Sequence, residues 1–205
     1  IRDRYTDFRE MIDKEKEIDA VLIGTPDHTH AVIAAYAMKA GKHVFVEKPM
    51  AKTIYETRFL RDLAKQTGVV TQMGNQGHNI EGTMQTVEWI QGGVIGDVRE
   101  VHLWTNRPMW RQGYFDRPAG VDIPSNLNYD VWLGPAPDKP YNPEMLHFAW
   151  RGLWDYGTGA MGDMGAHTFD APIWALNLGM PTKIQATSTP YNKDCLLYTS
   201  DAADD

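Results

Sequence analysis

The chain has 205 residues, 42% of them hydrophobic and 23% charged, which suits a globular protein of one or two domains. A net charge of -7 argues against a nucleic-acid backbone as partner, and no apolar run reaches the length of a membrane span. The single cysteine, Cys195, rules out an internal disulfide framework and a thiolate metal cluster.

Residues 7–16 predict a helix with Phe8, Met11 and Ile12 on one side. The run Ile18 to Ile23, closed by Gly24-Thr25-Pro26, reads as a parallel strand apolar on both faces, as if covered by helices on each side. Asp27-His28-Thr29-His30 opens a helix to about Ala40, with Asp27 or Thr29 as N-cap and Gly41 as stop; Val32, Ile33, Tyr36 and Ala37 supply its apolar stripe. His43-Val44-Phe45-Val46 is a second buried strand, and it breaks into Glu47-Lys48-Pro49. Pro49 has no N–H for a ladder and keeps Lys48 out of the helical region, so the strand ends there. Ligands bind outside the carboxyl ends of strands in open parallel sheets, which makes Lys48 a candidate site residue.

A helix follows from about Ile54 to Gln66, with Thr53 and Glu56 spaced as a capping box and Gly68 as terminator. Val69 to Asn75 is the third strand of the series. Strand, helix, strand, helix, strand implies right-handed crossovers and a parallel sheet. Glu81 to Ile90 reads as helix, closed by Gly92-Gly93, and a domain boundary is expected near Gly92–Gly96. Val98 to Asn106 alternates polar and apolar, the pattern of a strand with one wet face. Residues 107–158 are rich in Pro, Gly, Trp and Asp, and long irregular excursions of this kind are usually functional. Gly159 to Leu176 reads as one helix and Lys183 to Thr189 as a second alternating strand. From Cys195 to Asp205 the sequence breaks from all earlier pattern and reads as translated adaptor sequence, a non-native tail; the rest is then expected to be an internal piece of a longer protein.

Asp163 and His167 stand four apart on the predicted helix, so both lie on one face. A carboxylate there can fix an imidazole tautomer and leave the other nitrogen as a base, while a capping Asp beside a core His is the structural alternative. Asp170, a further turn along, is a weaker candidate. His28-x-His30 could suggest metal, but no carboxylate or Cys cluster of matching spacing supports it, and no metal is expected.

Thr25-Pro26 with His30, then Glu47-Lys48-Pro49, then Gly159-x-x-Gly162-Asp163-x-Gly165-x-His167 occur in order. Together they resemble the Gfo/Idh/MocA family, the relatives of glucose–fructose oxidoreductase and inositol dehydrogenase. The resemblance implies an α/β fold, a partial Rossmann parallel sheet followed by the start of an α+β domain with a mainly antiparallel open sheet. Its boundaries would be 1–95 for the dinucleotide-binding part, 96–194 for the truncated substrate and oligomerisation part, and 195–205 for the tail. It implies NAD or NADP as cofactor, contacted by Thr25, Pro26, His30, Glu47 and Lys48, with Lys48, Asp163 and His167 catalytic. The glycine-rich phosphate loop and the ribose-reading acid, which come first in the family, are absent here.

The expected reaction is hydride transfer from a secondary alcohol of a sugar or cyclitol, with Trp110, Arg151, Trp154 and Tyr156 as substrate contacts and Trp104, Trp150 and Arg107 as further candidates. An NAD-dependent glycosidase of the same fold, a non-catalytic sugar-binding relative and a metal hydrolase on His28 and His30 are the alternatives. No nucleic-acid or membrane partner is expected, a homo-oligomer through the open sheet is expected for the full-length protein, and cytoplasmic placement is favoured.

Overall fold

The computed structural model describes residues 3–107, 109–111 and 116–187. Three parallel strands, β1 (Ala20–Ile23), β2 (His43–Glu47) and β3 (Thr71–Gly74), lie side by side in chain order. Ala20 pairs with His43 and Ile23 with Val46, while Val44 pairs with Thr71 and Glu47 with Gly74, so all three strands end at one edge.

The connecting helices are α2 (Asp27–Lys39) and α3 (Ile54–Thr67), with α1 (Phe8–Lys14) ahead of β1. Local chemistry sets their ends. Asp7 caps α1 by accepting from Arg9 N. Thr53 and Glu56 close the reciprocal capping box on α3, and Gly68 takes the left-handed conformation that ends it. α2 differs from expectation, because its N-cap is Pro26, with no side-chain cap, and Asp27 is its first residue.

Both crossovers run in the same direction, so right-handed connections put α2 and α3 on the same face of the sheet. That face carries the first core: Ile12, Val21, Ile23, Ala34, Ala37, Val44, Val46, Leu60 and Leu63. The other face carries no helix among the described residues, and Leu22 is 72% exposed. The expectation that β1 and β2 would be covered on both faces is therefore corrected. Covering both faces needs a reversal of strand order, which three strands in sequence do not contain. The stripe on α2 shifts in part: Val32 is exposed, while Ala34 joins the expected Ile33 and Ala37 in the core, the alanines being small enough to allow close approach to the sheet.

After α4 (Glu81–Gln91), residues 98–106 and 183–187 form no ladder among the described residues, and most of them are exposed. Alternation specifies which side of a strand is wet but does not supply a neighbour, and without one there is no strand. Residues 188–205, including the end of the second alternating segment and the whole tail, lie outside the described residues. The expected single helix over 159–176 is two, α6 (Gly159–Thr168) and α7 (Asp170–Ala175). The break falls at Phe169, upstream of Pro172, which sits in the first turn of α7 and lacks the N–H that would bond the Thr168 carbonyl.

The irregular excursion holds a core of its own around α5 (Tyr129–Leu133) and a short 3-10 turn at Ala149–Gly152. Tyr129, Leu133, Tyr141, Met145, Leu146, Trp150, Leu153 and Tyr156 are its buried members. Four of these are aromatic, Tyr129, Tyr141, Trp150 and Tyr156. No described helix is long and apolar enough to cross a membrane.

Candidate active site

β2 carries Lys48 to the edge where the strands end. Lys48 N bonds Gly74 O at 3.1 Å, extending the ladder by one residue, and the Lys48–Pro49 peptide is cis. From this anchor the Lys48 ammonium reaches α6, donating to Asp163 Oδ1 at 2.7 Å and to the Asp163 carbonyl at 3.0 Å. Asp163 is only 4% exposed, and Arg151 Nε lies 3.4 Å from the same Oδ1. A buried carboxylate is thus matched by an ammonium and a guanidinium, leaving positive charge in excess beside it.

Close packing aims α6. A Cβ on Gly162 would lie 2.2 Å from Thr158 Cβ, and one on Gly157 would lie 2.3 Å from Arg151 O. Those contacts leave no room for a side chain at either position.

His167 sits one turn beyond Asp163 and is partly buried. Burial lowers its pKa most, the Lys48 charge lowers it further, and Asp163 opposes both, with Arg107 and Asp170 contributing less. The ring is therefore neutral at neutral pH and keeps a lone pair. One expectation is corrected: among the described residues no hydrogen bond joins Asp163 to His167. Residues four apart share a helix face, but the nearer ammonium of Lys48 takes the carboxylate.

A cleft of about 540 Å³ opens at the end of β1. Gly24, Thr25 and Pro26 form one side, and Trp132, Tyr141, Trp150 and Arg151 are on the other. Thr25 and Pro26 thus stand where a ligand at the strand ends would pass, and Arg151 reaches the same space. Glu47 instead lines a second, more open cleft of about 740 Å³ with Gln72, Asn75, His78 and Asp170. There His78 Nδ1 lies 2.9 Å from Asp170 and its ring stacks on Trp174.

Other expected contacts are placed elsewhere. Tyr156 is fully buried, sits in the second core and accepts from Arg117 through its hydroxyl, so it cannot stack on a sugar. Trp110 is 6% exposed and packs edge-on against Phe148. Trp154 is exposed but does not line the cleft. His30 is 1% exposed with both ring nitrogens on backbone carbonyls, which removes it from direct cofactor contact. His28 Nε2 likewise faces Trp132 O at 3.0 Å, so the two imidazoles do not converge on an ion. Among the described residues no cluster suits a metal.

Asp27 is a site feature that sequence reasoning took for a helix cap. It is 3% exposed and accepts from Thr158 Oγ1 at 2.7 Å, tying the start of α2 to the segment that leads into α6. Burial raises its pKa, while Thr158 and His30 act in the other direction. A carboxylate following Thr-Pro at a helix start was the available signal. The aromatic wall of Trp132 and Tyr141 had none, because only the tertiary fold brings it to β1.

Residues 2–75 match the family model described as oxidoreductase family, NAD-binding Rossmann fold, and residues 104–197 match the oxidoreductase family C-terminal alpha/beta domain. A levoglucosan dehydrogenase from Pseudarthrobacter phenanthrenivorans is 34% identical over 93 residues, covering 45% of this chain and 24% of that protein. A glycosyl hydrolase family 109 protein from Shewanella sp. (strain ANA-3) is 33% identical over 114 residues, covering 55% of this chain and 25% of that protein. An inositol dehydrogenase homologue from Azotobacter vinelandii, solved with NADH and myo-inositol, shares 32% identity over 46% of this chain and 26% of its own, with a TM-score of 0.44. The chain spans about a quarter of the length of these relatives. With both of its domain models matched in order, the chain belongs to the Gfo/Idh/MocA oxidoreductase family, and its parallel sheet is part of that family's NAD-binding Rossmann fold.

Proposed function

We propose that the full-length protein is a nicotinamide-dependent dehydrogenase that oxidises a secondary alcohol of a sugar or cyclitol. The observation that carries this reading is the Lys48–Asp163 pair at the strand ends, with neutral His167 one helical turn away. The fit to a dinucleotide rests on the cleft at the end of β1, where Gly24 leaves the backbone open and Thr25 is exposed. Thr25 and Pro26 at this cleft, with Glu47 and Lys48 at the adjoining end of β2, would hold NAD or NADP, which when bound accepts the hydride from the alcohol carbon.

The chain's own groups handle the proton and the charge. His167 takes the hydroxyl proton on its free lone pair. Lys48 faces the oxygen as negative charge develops on it, and Asp163 and the Gly74 carbonyl hold Lys48 in place so that no reorganisation is needed. Arg151 adds a second positive charge and, at the cleft wall, meets substrate hydroxyls or a carboxylate. The parts involved are a dinucleotide-binding domain over 1–95 and a substrate domain over 96–194, with the latter's open sheet joining copies of the full-length protein.

The glycosyl hydrolase relative favours a second reading, in which the same oxidation is transient and ends in cleavage of a glycosidic bond. Incubation of the full-length protein with NAD or NADP and a polyol, sugar and glycoside panel separates the two. Net nicotinamide reduction supports the dehydrogenase, whereas sugar release without net reduction supports the glycosidase. Neither product with any substrate or cofactor overturns both.

A further inference from the structure

We infer that His30 is a doubly protonated strut between the Thr25 and Pro49 carbonyls, and so a positioning residue for hydride transfer. Its ring is buried in the first turns of α2. Nε2 lies 2.7 Å from Thr25 O and Nδ1 lies 2.7 Å from Pro49 O. Carbonyl oxygens only accept, and a neutral imidazole has one N–H, so a neutral ring would set a lone pair against one of them. Both contacts are satisfied only when each nitrogen carries a proton, and 2.7 Å is the short separation of charge-assisted N–H···O bonds.

A buried cation needs an opposite charge within reach. Asp27 stands three residues earlier on α2 and is itself buried; burial raises its pKa, and the Thr158 hydroxyl and then His30 act against that rise. Asp27 is held in turn by Thr158, at the entry to α6.

The strut has a place in the chemistry. The β1–β2 ladder ends with the pair Ile23 and Val46, and beyond it the two chains leave the sheet. Thr25, on the cleft wall, and Pro49, next to Lys48, are the residues His30 joins across that gap. The spacing between the cofactor loop and the lysine that meets the substrate oxygen is therefore set by one ring. Gln or Asn cannot replace it, since their two N–H bonds leave a single atom and cannot span both carbonyls.

Two measurements on the full-length protein test this. In the wild type labelled with nitrogen-15 histidine, both ring nitrogens of His30, correlated to its own backbone, should show the protonated signature at neutral pH. An unprotonated ring nitrogen there overturns the strut, whatever the protein catalyses. The kinetic half rests on the dehydrogenase reading: His30→Gln should slow single-turnover hydride transfer by about 10–100-fold, the scale of a misplacement of about 1 Å, at saturating cofactor and with cooperative unfolding retained. A folded His30→Gln with wild-type turnover overturns the positioning role. If the variant does not fold, the nitrogen signature of the wild type decides the question alone. Absence of any hydride transfer in the wild type would refute the dehydrogenase reading and leave the nitrogen result standing.

Discussion

Replacing Lys48 with Met should destabilise the full-length protein by about 3 kcal/mol. The substitution keeps much of the side-chain length and removes the charge, leaving Asp163 at 4% exposure without its 2.7 Å partner. Removing one member of a buried pair typically costs about 3–5 kcal/mol, because the other charge stays buried. The low end applies here, since Arg151 Nε at 3.4 Å still faces Asp163 Oδ1. Adding Asp163→Leu should recover much of the loss, as the stranded charge disappears, giving a coupling of about 2 kcal/mol or more. The assay is urea unfolding at pH 7 followed by tryptophan fluorescence for the wild type, both single variants and the double. Additive effects, or a Lys48→Met cost below about 1 kcal/mol, would refute the view that this pair is buried and mutually dependent.

Gly157→Ala should destabilise by about 1–3 kcal/mol or more and also weaken substrate handling, because the added Cβ would meet the Arg151 backbone at 2.3 Å and displace a cleft residue; an unchanged melting temperature would contradict that packing. His28 predicts an acid-side loss of stability. Burial holds its pKa below the ordinary value and its Nδ1 has no hydrogen-bond partner among the described residues, so the native state binds fewer protons than the unfolded one. Its contribution is complete above about pH 6.5, the unfolded value, and is lost as pH falls through the lower native value. Melting temperatures between pH 7.5 and 5 should fall less steeply in His28→Gln than in the wild type, and parallel slopes would refute the assignment.

What could be read from the sequence was mostly local. The capping box of Thr53 and Glu56, the left-handed Gly68 and the strand end at Lys48-Pro49 are each decided by residues within a few positions of one another. Contacts across long separations were accessible only through motif resemblance, as with Lys48 and Asp163, 115 residues apart. Even there the partner was misjudged, since helix spacing pointed Asp163 at His167 and the fold gave it to Lys48. Aromatic residues misled for a related reason. Tyr156 and Trp154 lie two apart in sequence, yet one is fully buried and the other 55% exposed, a difference set by packing around α5 that no local pattern encodes. Alternation over 98–106 likewise described a face without a neighbouring strand.

The central claim is that His167 removes the proton while Lys48 supports the charge on the oxygen. Single-turnover hydride transfer, followed by nicotinamide absorbance in the full-length protein with a confirmed polyol or sugar substrate, tests it most directly. His167→Ala should lower the rate by about 10²–10⁴-fold and Lys48→Met by about 10²–10³-fold, each with a far smaller change in cofactor affinity, because both act on charge that develops in the transition state. Near-wild-type rates in both folded variants would contradict the account.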